Sequence, residues 1–575
     1  ILWLIPFALK INFSLNSLSA TPIIKILNSL LKSNSFKYLV MNRIILVIFF
    51  CISTLSLMSQ NISDALNYTN NNIDGSARFS AMGGAFGALG GEISSISSNP
   101  AGSAIFNNSH FSLSFASDKK TNDVSLLNVY NTQDKSNLTM NQIGGVFVFN
   151  NIGAAKKWKR IVVGLSYDQT NNNFNEFFVR DFTNSNSIDG FFLANAQGLR
   201  LDQISAFENE SITDAYVDIG NTFGYPHQQA FLGYESFIIE PDSFEDDNTL
   251  YTSNVAPGTF NQTYYSISRG YNGKFTANIG AQYSEKLYLG INLNGHFVDY
   301  DNYNILEESN ANGQSGSLHI TDINFENRLS GFGGGFSFQL GTIAKLNDWL
   351  RLGVTYDSPV WYSIKEETRQ YLATRFVDQS DEEITVVLDP NAINVFEEYT
   401  IQTPSKITGS LAVIINKLGL ISFDYSRKDY SKMEFKPLEG FEVSWMDDLN
   451  WEINDNLTVA NSYKIGAEIR ANSLSYRAGY RIDESPYRNT DYYSDRKGFS
   501  LGIGYKFRSN SIDLSFEKYN KQYQPSTNTT SNTLLQSPTS RQLNYFHWNQ
   551  NINKQKLISF FVIKTISSLP SQFYT

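Results

Sequence analysis

The chain has 575 residues, with 42 Phe, 32 Tyr, 38 Gly and only 14 Pro, and 17% of it is charged. Its formal net charge of −10 leaves no basic face to neutralise phosphates, which argues against a nucleic-acid partner. Aromatics, glycine and asparagine in quantity, without long apolar runs, suit a sheet with one greasy face.

In chain order, residues 1–40 precede a complete export signal and read as an upstream extension foreign to the mature protein. From Met41, Arg43 supplies a positive start and 44–57 an apolar core, followed by Ser56, Ser59 and Gln60. This is the pattern of a signal peptide over 41–60, cleaved near Gln60. The alternative, an uncleaved anchor, has a short apolar run for the task. Removing 1–60 takes five of the 45 basic residues (Lys10, Lys25, Lys32, Lys37 and Arg43) and none of the 55 acids. Cys51, the only cysteine, leaves with them. A mature chain without cysteine has no disulfide framework and no thiolate metal site.

Residues 61–108 are glycine-rich, with glycines at 75, 83, 84, 87, 90, 91 and 102. No Gly-Lys-Ser/Thr follows them, so they do not form a phosphate loop. A flexible linker is one reading. The other is a compact plug inside a cavity, because Ala, Met, Phe, Ile and Leu are spread among the glycines, which allow close backbone approach. Pro100 denies its nitrogen to any ladder and biases Asn99 toward extended backbone.

From residue 109 to 575 the chain alternates in period two. Leu287, Leu289, Ile291 and Leu293 share one face, opposite Tyr288, Gly290, Asn292, Asn294 and His296. The same holds for Leu350, Leu352, Val354 and Tyr356, and for Phe499, Leu501, Ile503, Tyr505 and Phe507. About fourteen strands are predicted, near 110–118, 139–150, 159–182, 262–284, 286–305, 316–345, 348–374, 394–416, 418–433, 457–471, 473–485, 496–507, 511–523 and, weakly, 553–564. Short connections alternate with long ones at 119–138, 183–261, 375–393, 434–456 and 524–552. Such sorting marks a membrane barrel with tight periplasmic turns and long outer loops, and a sandwich has no reason for it. Trp158 and Trp349 fall beside short turns, where an aromatic girdle belongs. The stretch 524–575 is ambiguous: either the barrel closes imperfectly there, or the reading frame is lost after about Tyr523.

The segment Gly83-Gly84-Ala85-Phe86, followed by Asn99-Pro100-Ala101, resembles the FadL/TodX family of outer-membrane transporters. Thr403-Pro404, Phe423-Asp424-Tyr425 and Asp429-Tyr430-Ser431 extend the likeness into the barrel, to about 523. Glu92, and Gly102-Ser103, depart from the family pattern. The resemblance implies an all-β fold, a fourteen-stranded transmembrane antiparallel barrel with an N-terminal hatch over 61–108 in its lumen. Gly83, Gly84, Phe86, Asn99, Pro100 and Ala101 would be its gating residues. It also implies passive uptake of hydrophobic molecules such as long-chain fatty acids, leaving sideways through a kink in the third strand. The polar run Asp168-Gln169-Thr170-Asn171-Asn172-Asn173 is the candidate kink; it reads equally as the strand emerging above the lipid.

The 183–261 connection carries twelve acids and many aromatics. Phe231, Leu232, Tyr234 and Phe237 could form an apolar landing site, or could hold an acidic loop together. Arg351, Lys464, Arg470, Arg477 and Arg481 are expected to face the lumen. They could attract a carboxylate head, but pairing with Asp357, Asp424, Asp513 and Glu517 is the stronger expectation, since buried charges need partners. The five histidines have no metal-ligand spacing, and neither a cofactor nor catalytic residues are expected. An outer-membrane barrel enzyme using His296 and a nearby Ser, or a haem-binding receptor barrel, are the alternatives. The expected setting is the bacterial outer membrane, as a monomer, with lipid, lipopolysaccharide and a small hydrophobic substrate as partners and the barrel-assembly machinery acting during insertion.

Overall fold

The structure, a computed structural model, describes residues 66, 68–69, 73–126, 129–150, 157–316, 318–378, 382–396, 398–437, 444–490, 494–520 and 547–549. The predicted signal peptide, its cleavage point and the predicted strand at 553–564 lie outside them.

Alternation drives the architecture. In Leu287–Asn310 (β8 below), Ile291 and Leu293 are exposed while Asn292, Asn294 and His296 are buried. The wall is therefore greasy outside and polar inside, the reverse of a soluble barrel and the arrangement that lipid demands. Its strands are β1 (His110–Leu126), β2 (Val129–Asn150), β3 (Trp158–Asn172) with β4 (Asn175–Asn184), β7 (Phe260–Tyr283), β8 (Leu287–Asn310) and β9 (His319–Lys345). Next come β10 (Leu350–Asp357) with β11 (Trp361–Val377), β15 (Lys406–Ile415) with β14 (Tyr399–Gln402), and β16 (Gly419–Asp429) with β17 (Glu434–Pro437). The last four are β18 (Val459–Ala471), β19 (Leu474–Asp483), β20 (Arg496–Phe507) and β21 (Asn510–Asn520). Each pairs antiparallel with the next. That makes thirteen wall strands. A further piece, β22 (His547–Asn549), pairs antiparallel with Asp123–Ser125 on the free edge of β1, where a fourteenth strand belongs.

The short connections predicted at Glu285, Lys417, Asn472 and Arg508–Asn510 are turns of two or three residues in the structure, at 284–286, 416–418, 472–473 and 508–509. Ser284, Asn416, Asn472 and Arg508 take φ between +47° and +56° there, the left-handed residue that tight hairpins need. Trp158 and Trp349 stand exposed beside such turns, and Trp158 meets the Tyr283 ring edge-on at 5.1 Å.

Four predicted outer loops carry regular structure. Residues 119–138 are no loop: β1 and β2 stay paired as far as Leu126↔Val129. Polar alternation above the lipid carries no hydrophobic signal, so the strands read as ended too early. The 375–393 stretch holds β12 (Glu383–Leu388), folded back on β11. The 434–456 stretch holds β17 and a helix, Ser444–Asn456. The 183–261 connection is a small helical cap of α-helices Asp189–Ala196, Ile212–Phe223 and Tyr225–Glu235, with β5 (Ile239–Pro241) paired to β6 (Tyr251–Ser253). Among the described residues no helix is long and apolar enough to cross a membrane.

Candidate functional site

The hatch is built on Ser76, whose hydroxyl caps the short helix Ala77–Ala81 by accepting from Phe79 N at 3.2 Å. Gly83 and Gly84 follow at φ +61° and +73°, a reversal that side chains resist. A short helix, Ser95–Ser98, and a 3-10 turn, Pro100–Ile105, complete it. The hatch has little core of its own. Phe79, Met82, Phe86 and Leu89 pack on Ala412 and Leu420, Ile93 and Ile96 on Val146 and Val162, and Ala101 and Ala104 on Tyr288 and Ile343. Helix Ala77–Ala81 touches β19, β20 and β21, while the 3-10 turn touches β3, β7, β8 and β9, so the wall wraps around it.

Asn99 is fully buried and caps the 3-10 turn, its Oδ1 accepting from Ala101 N at 3.1 Å. Its Nδ2 donates to Gly87 O at 2.7 Å within the hatch and to Thr342 O at 3.1 Å on the wall. Inward amides of the wall supply further donors: Asn278 to Pro100 O, Asn292 to Ile96 O and Gln339 to Ser97 O, at 2.9–3.1 Å. Gly87 N donates to Asp424 and Gly83 N to Ser500 Oγ. The polar inner face at this height is thus a socket for hatch backbone.

That socket also needs glycine. At Gly280, Gly290, Gly341, Gly353, Gly466, Gly479 and Gly502 an added Cβ would come closer than 3.0 Å to residues 81–104 of the hatch. Gly280, Gly290 and Gly341 are direct register partners across β7, β8 and β9, a flat track on which the Asn99-Pro100 backbone lies. Sequence reasoning placed Gly290 opposite the greasy face of its strand but missed its role. The available signal was glycine inside a strand, which marks close backbone approach.

The third strand breaks. The β2–β3 ladder runs from Asn150↔Arg160 to Gln142↔Asp168 and stops there, although β2 continues outward to Val129. β3 stays on β7 as far as Asn172↔Tyr271, with a register shift between Gln169 and Asn171. Asn173 and Phe174 then interrupt it, and β4 resumes on β7 at Asn175↔Ser268. Asp168, Gln169, Thr170 and Asn172 are buried in succession, so alternation is lost. The interruption falls at the end of the predicted run, at Asn173. Side chains span the interval in place of the ladder: Lys120 Nζ reaches Asn172 O, Asn172 Nδ2 reaches Asp118, and Lys135 pairs with Glu176 at 2.8 Å. Asp168 also accepts from Ser97 Oγ at 2.7 Å, which links the break to the hatch. Tyr167, Tyr271, Phe275 and Phe297 gather beside it, with centroids 5.3–6.1 Å apart.

The basic wall residues are engaged. Glu468 takes Arg78 from the hatch (2.9 Å), Arg470 (2.7 Å) and Arg477 (2.7 Å), and Arg477 also pairs with Asp513. Arg351 donates to Leu89 O at 3.0 Å, Arg481 pairs with Asp483 at 2.6 Å, and Lys464 lies opposite Asp424 in the ladder. Two of these contacts, Arg78 with Glu468 and Arg351 with Leu89 O, join the hatch to the wall, and the others brace the wall itself.

Glu92 is buried in the hatch, its Oε2 accepting from Ser95 N and its Oε1 without a hydrogen bond. Burial raises its pKa to about 7, with the nearby Asp168 adding to the rise and Arg78 opposing it.

The proposed landing site is corrected. Phe231 and Leu232 are fully buried in the cap core with Phe192, Phe325 and Leu372, Tyr234 is half-buried, and of the four only Phe237 is exposed, edge-on to Phe376. The helix Tyr225–Glu235 turns its apolar side chains onto the wall, so the aromatics hold the cap together.

His296 is buried and its Nε2 lies 2.8 Å from Ser337 Oγ, but its Nδ1 has no hydrogen-bond partner. The pair lacks the third group that orients an imidazole for nucleophilic catalysis. Among the described residues no cluster of His, Cys, Asp or Glu could hold a metal.

Residues 260–545 match the sequence model of the outer membrane protein transport protein family, OMPP1/FadL/TodX. The chain belongs to this family. The FadL/TodX match starts after the hatch, leaving the motifs at 83–86 and 99–101 outside it, and runs past Tyr523, where the frame was in doubt. A Pseudomonas aeruginosa FadL homologue shares 11% identity at a TM-score of 0.48, over 86% of this chain and 98% of its own. The Ralstonia pickettii toluene transporter TbuX shares 13% at 0.39, over 78% and 94%, and the monoaromatic hydrocarbon channel CymD 12% at 0.40, over 79% and 94%. No curated protein matches the chain. As a FadL/TodX member it is an outer-membrane protein of transport function, a barrel for passive uptake of hydrophobic compounds.

Proposed function

We propose that hydrophobic molecules enter from the outer side and leave sideways into the membrane at the break between β2 and the third strand. The observation that carries this is the end of the ladder at Gln142↔Asp168, while the lumen below is filled by a hatch whose carbonyls are bonded to the wall. Pulling the hatch out would orphan several buried backbone groups, each costing about 1–3 kcal/mol. Parting the interval breaks no strand ladder, only contacts in which at least one partner is a side chain, such as Lys135 with Glu176 and Lys120 with Asn172 O. Leu138 and Met140 are exposed on β2 beside it, so the exit opens on lipid-facing surface. Asn99, Pro100, Ala101, Gly83, Gly84 and Phe86 act here as the seal. The substrate class is a long-chain fatty acid or similar lipophile, and the protein works as a monomer amid outer-leaflet lipid.

The experiment is a disulfide across the interval. Arg180 N donates to Asn131 Oδ1 at 3.0 Å, so Asn131→Cys with Arg180→Cys bridges β2 to β4, and Cys51 is the only native cysteine. Uptake of a radiolabelled fatty acid should fall when the bridge is oxidised and return on reduction. Equal uptake in both states defeats the lateral route.

A further inference from the structure

A second site lies outside the lumen. On the lipid side of β7, β8 and β9, exposed Ile279 and Phe275, Ile291 and Leu293, and Leu340, Phe336 and Phe332 form an apolar band ending near Tyr271, Phe297 and Phe332. Beyond its outer end the same faces turn charged and enclose a groove of about 460 Å³, lined by Arg269, Asp301, Tyr303, Arg328, Arg369 and Tyr371 among others. Arg328 and Arg369 face one another in the β9–β11 register, and Arg269 faces Asp301 across β7 and β8.

We propose that this groove binds the phosphorylated sugar head of a lipid in the outer leaflet. The height is right, since the groove continues the lipid-facing band where acyl chains give way to heads. The donors are right as well. Arg328 is held by Asp301 through Nε and Nη2 at 2.7 and 3.0 Å, which leaves Nη1 to point elsewhere. Arg369 contacts Asp389 through Nη2 alone, at 3.4 Å and beyond. Arg269 forms no ion pair or hydrogen bond among the described residues. Guanidinium forks suit phosphate oxygens in pairs, and two tyrosines supply flat, half-polar walls for a sugar. The acids in the groove have partners already: Asp301 with Arg328 and Ser330, Glu326 with Tyr303 and Asn324. They set the arginines rather than repel the phosphate. A purely hydrophobic cargo would gain nothing here, because each charged wall would have to lose water.

The test uses the full-length protein in detergent, titrated with bisphosphorylated lipid A, its dephosphorylated form, phosphatidylglycerol and inorganic phosphate. Bisphosphorylated lipid A should bind about tenfold more tightly than the dephosphorylated form, and Arg269→Ala with Arg369→Ala should remove that preference. Fatty-acid uptake in the double variant should stay at the wild-type level, which separates this site from the transport route. The proposal is overturned if the dephosphorylated form binds equally or if the double variant keeps the preference. It is also overturned if phosphatidylglycerol or inorganic phosphate competes as well as lipid A, which would make the groove a general anion site.

Discussion

Asn99 Nδ2 donates at once to Gly87 O, 2.7 Å away in the hatch, and to Thr342 O, 3.1 Å away on β9. A single buried amide therefore joins the plug to itself and to the wall, one residue before a proline that has no N–H to offer. Asn99→Ala strips both carbonyls of their side-chain donor at a cost of about 1–3 kcal/mol each. Most of the fold lies in the strand ladder, so heat-modifiable gel mobility should be unchanged. Permeation of large antibiotics should rise. Wild-type antibiotic resistance in Asn99→Ala cells would show that this clamp does not govern the seal.

Gly341→Ala should unseat the hatch more sharply. Its Cβ would overlap Asn99 Oδ1 and the Pro100 ring, which are tied in place by the Ala101 N–H and by Asn278 on Pro100 O. Gly295→Ala is the control, since nothing lies within 4 Å of its Cβ on the outer face. Single-channel recording should show added conductance for Gly341→Ala and none for Gly295→Ala. Matching traces from the two would refute the glycine track.

Glu468→Gln removes the carboxylate shared by Arg78, Arg470 and Arg477. Breaking a buried ion pair from one side costs about 3–5 kcal/mol, because the remaining charge has lost its partner. The urea midpoint of the folded band should drop clearly. Replacing the exposed Glu434, which pairs with Lys436, should shift it little. A small effect at position 468 would mean that water reaches this cluster.

The Glu92 carboxyl, raised to about 7 by burial, makes hatch docking depend on pH. A carboxyl bound more tightly to its proton in the folded state stabilises that state fully below the ordinary value near 4.5 and loses the contribution as pH rises through about 7. Docking should therefore be firmer at pH 5 than at pH 8. Arg78 is the only Lys or Arg between residues 61 and 108, so tryptic cleavage there reports an undocked hatch. The cleaved fraction should rise with pH in the wild type and stay flat in Glu92→Gln. Parallel rises in both proteins would assign the dependence to another group.

The sequence by itself determined the barrel, its inward and outward faces and the order of its turns. Period-two alternation is a local property, and lipid leaves only one way to satisfy it. Leu293 outward and Asn294 inward follow from their neighbours alone. It also marked the hatch, whose glycines and Asn99-Pro100 pair stand out from any strand pattern. Tertiary structure decided what those residues touch. That Gly280, Gly290 and Gly341 line up as a track depends on the register of three strands, which no single strand encodes. Phe231 and Leu232 looked like an exposed apolar patch because a helical cap and a landing loop carry the same composition. Packing against Phe192 and Tyr216 of the cap and against the wall residues Phe325 and Leu372, far away in sequence, turns them into a core. The break beyond Asp168 was legible as lost alternation. That β2 runs on past it along β1 with no ladder on its β3 side is a relation between strands, and it exists only once they are side by side.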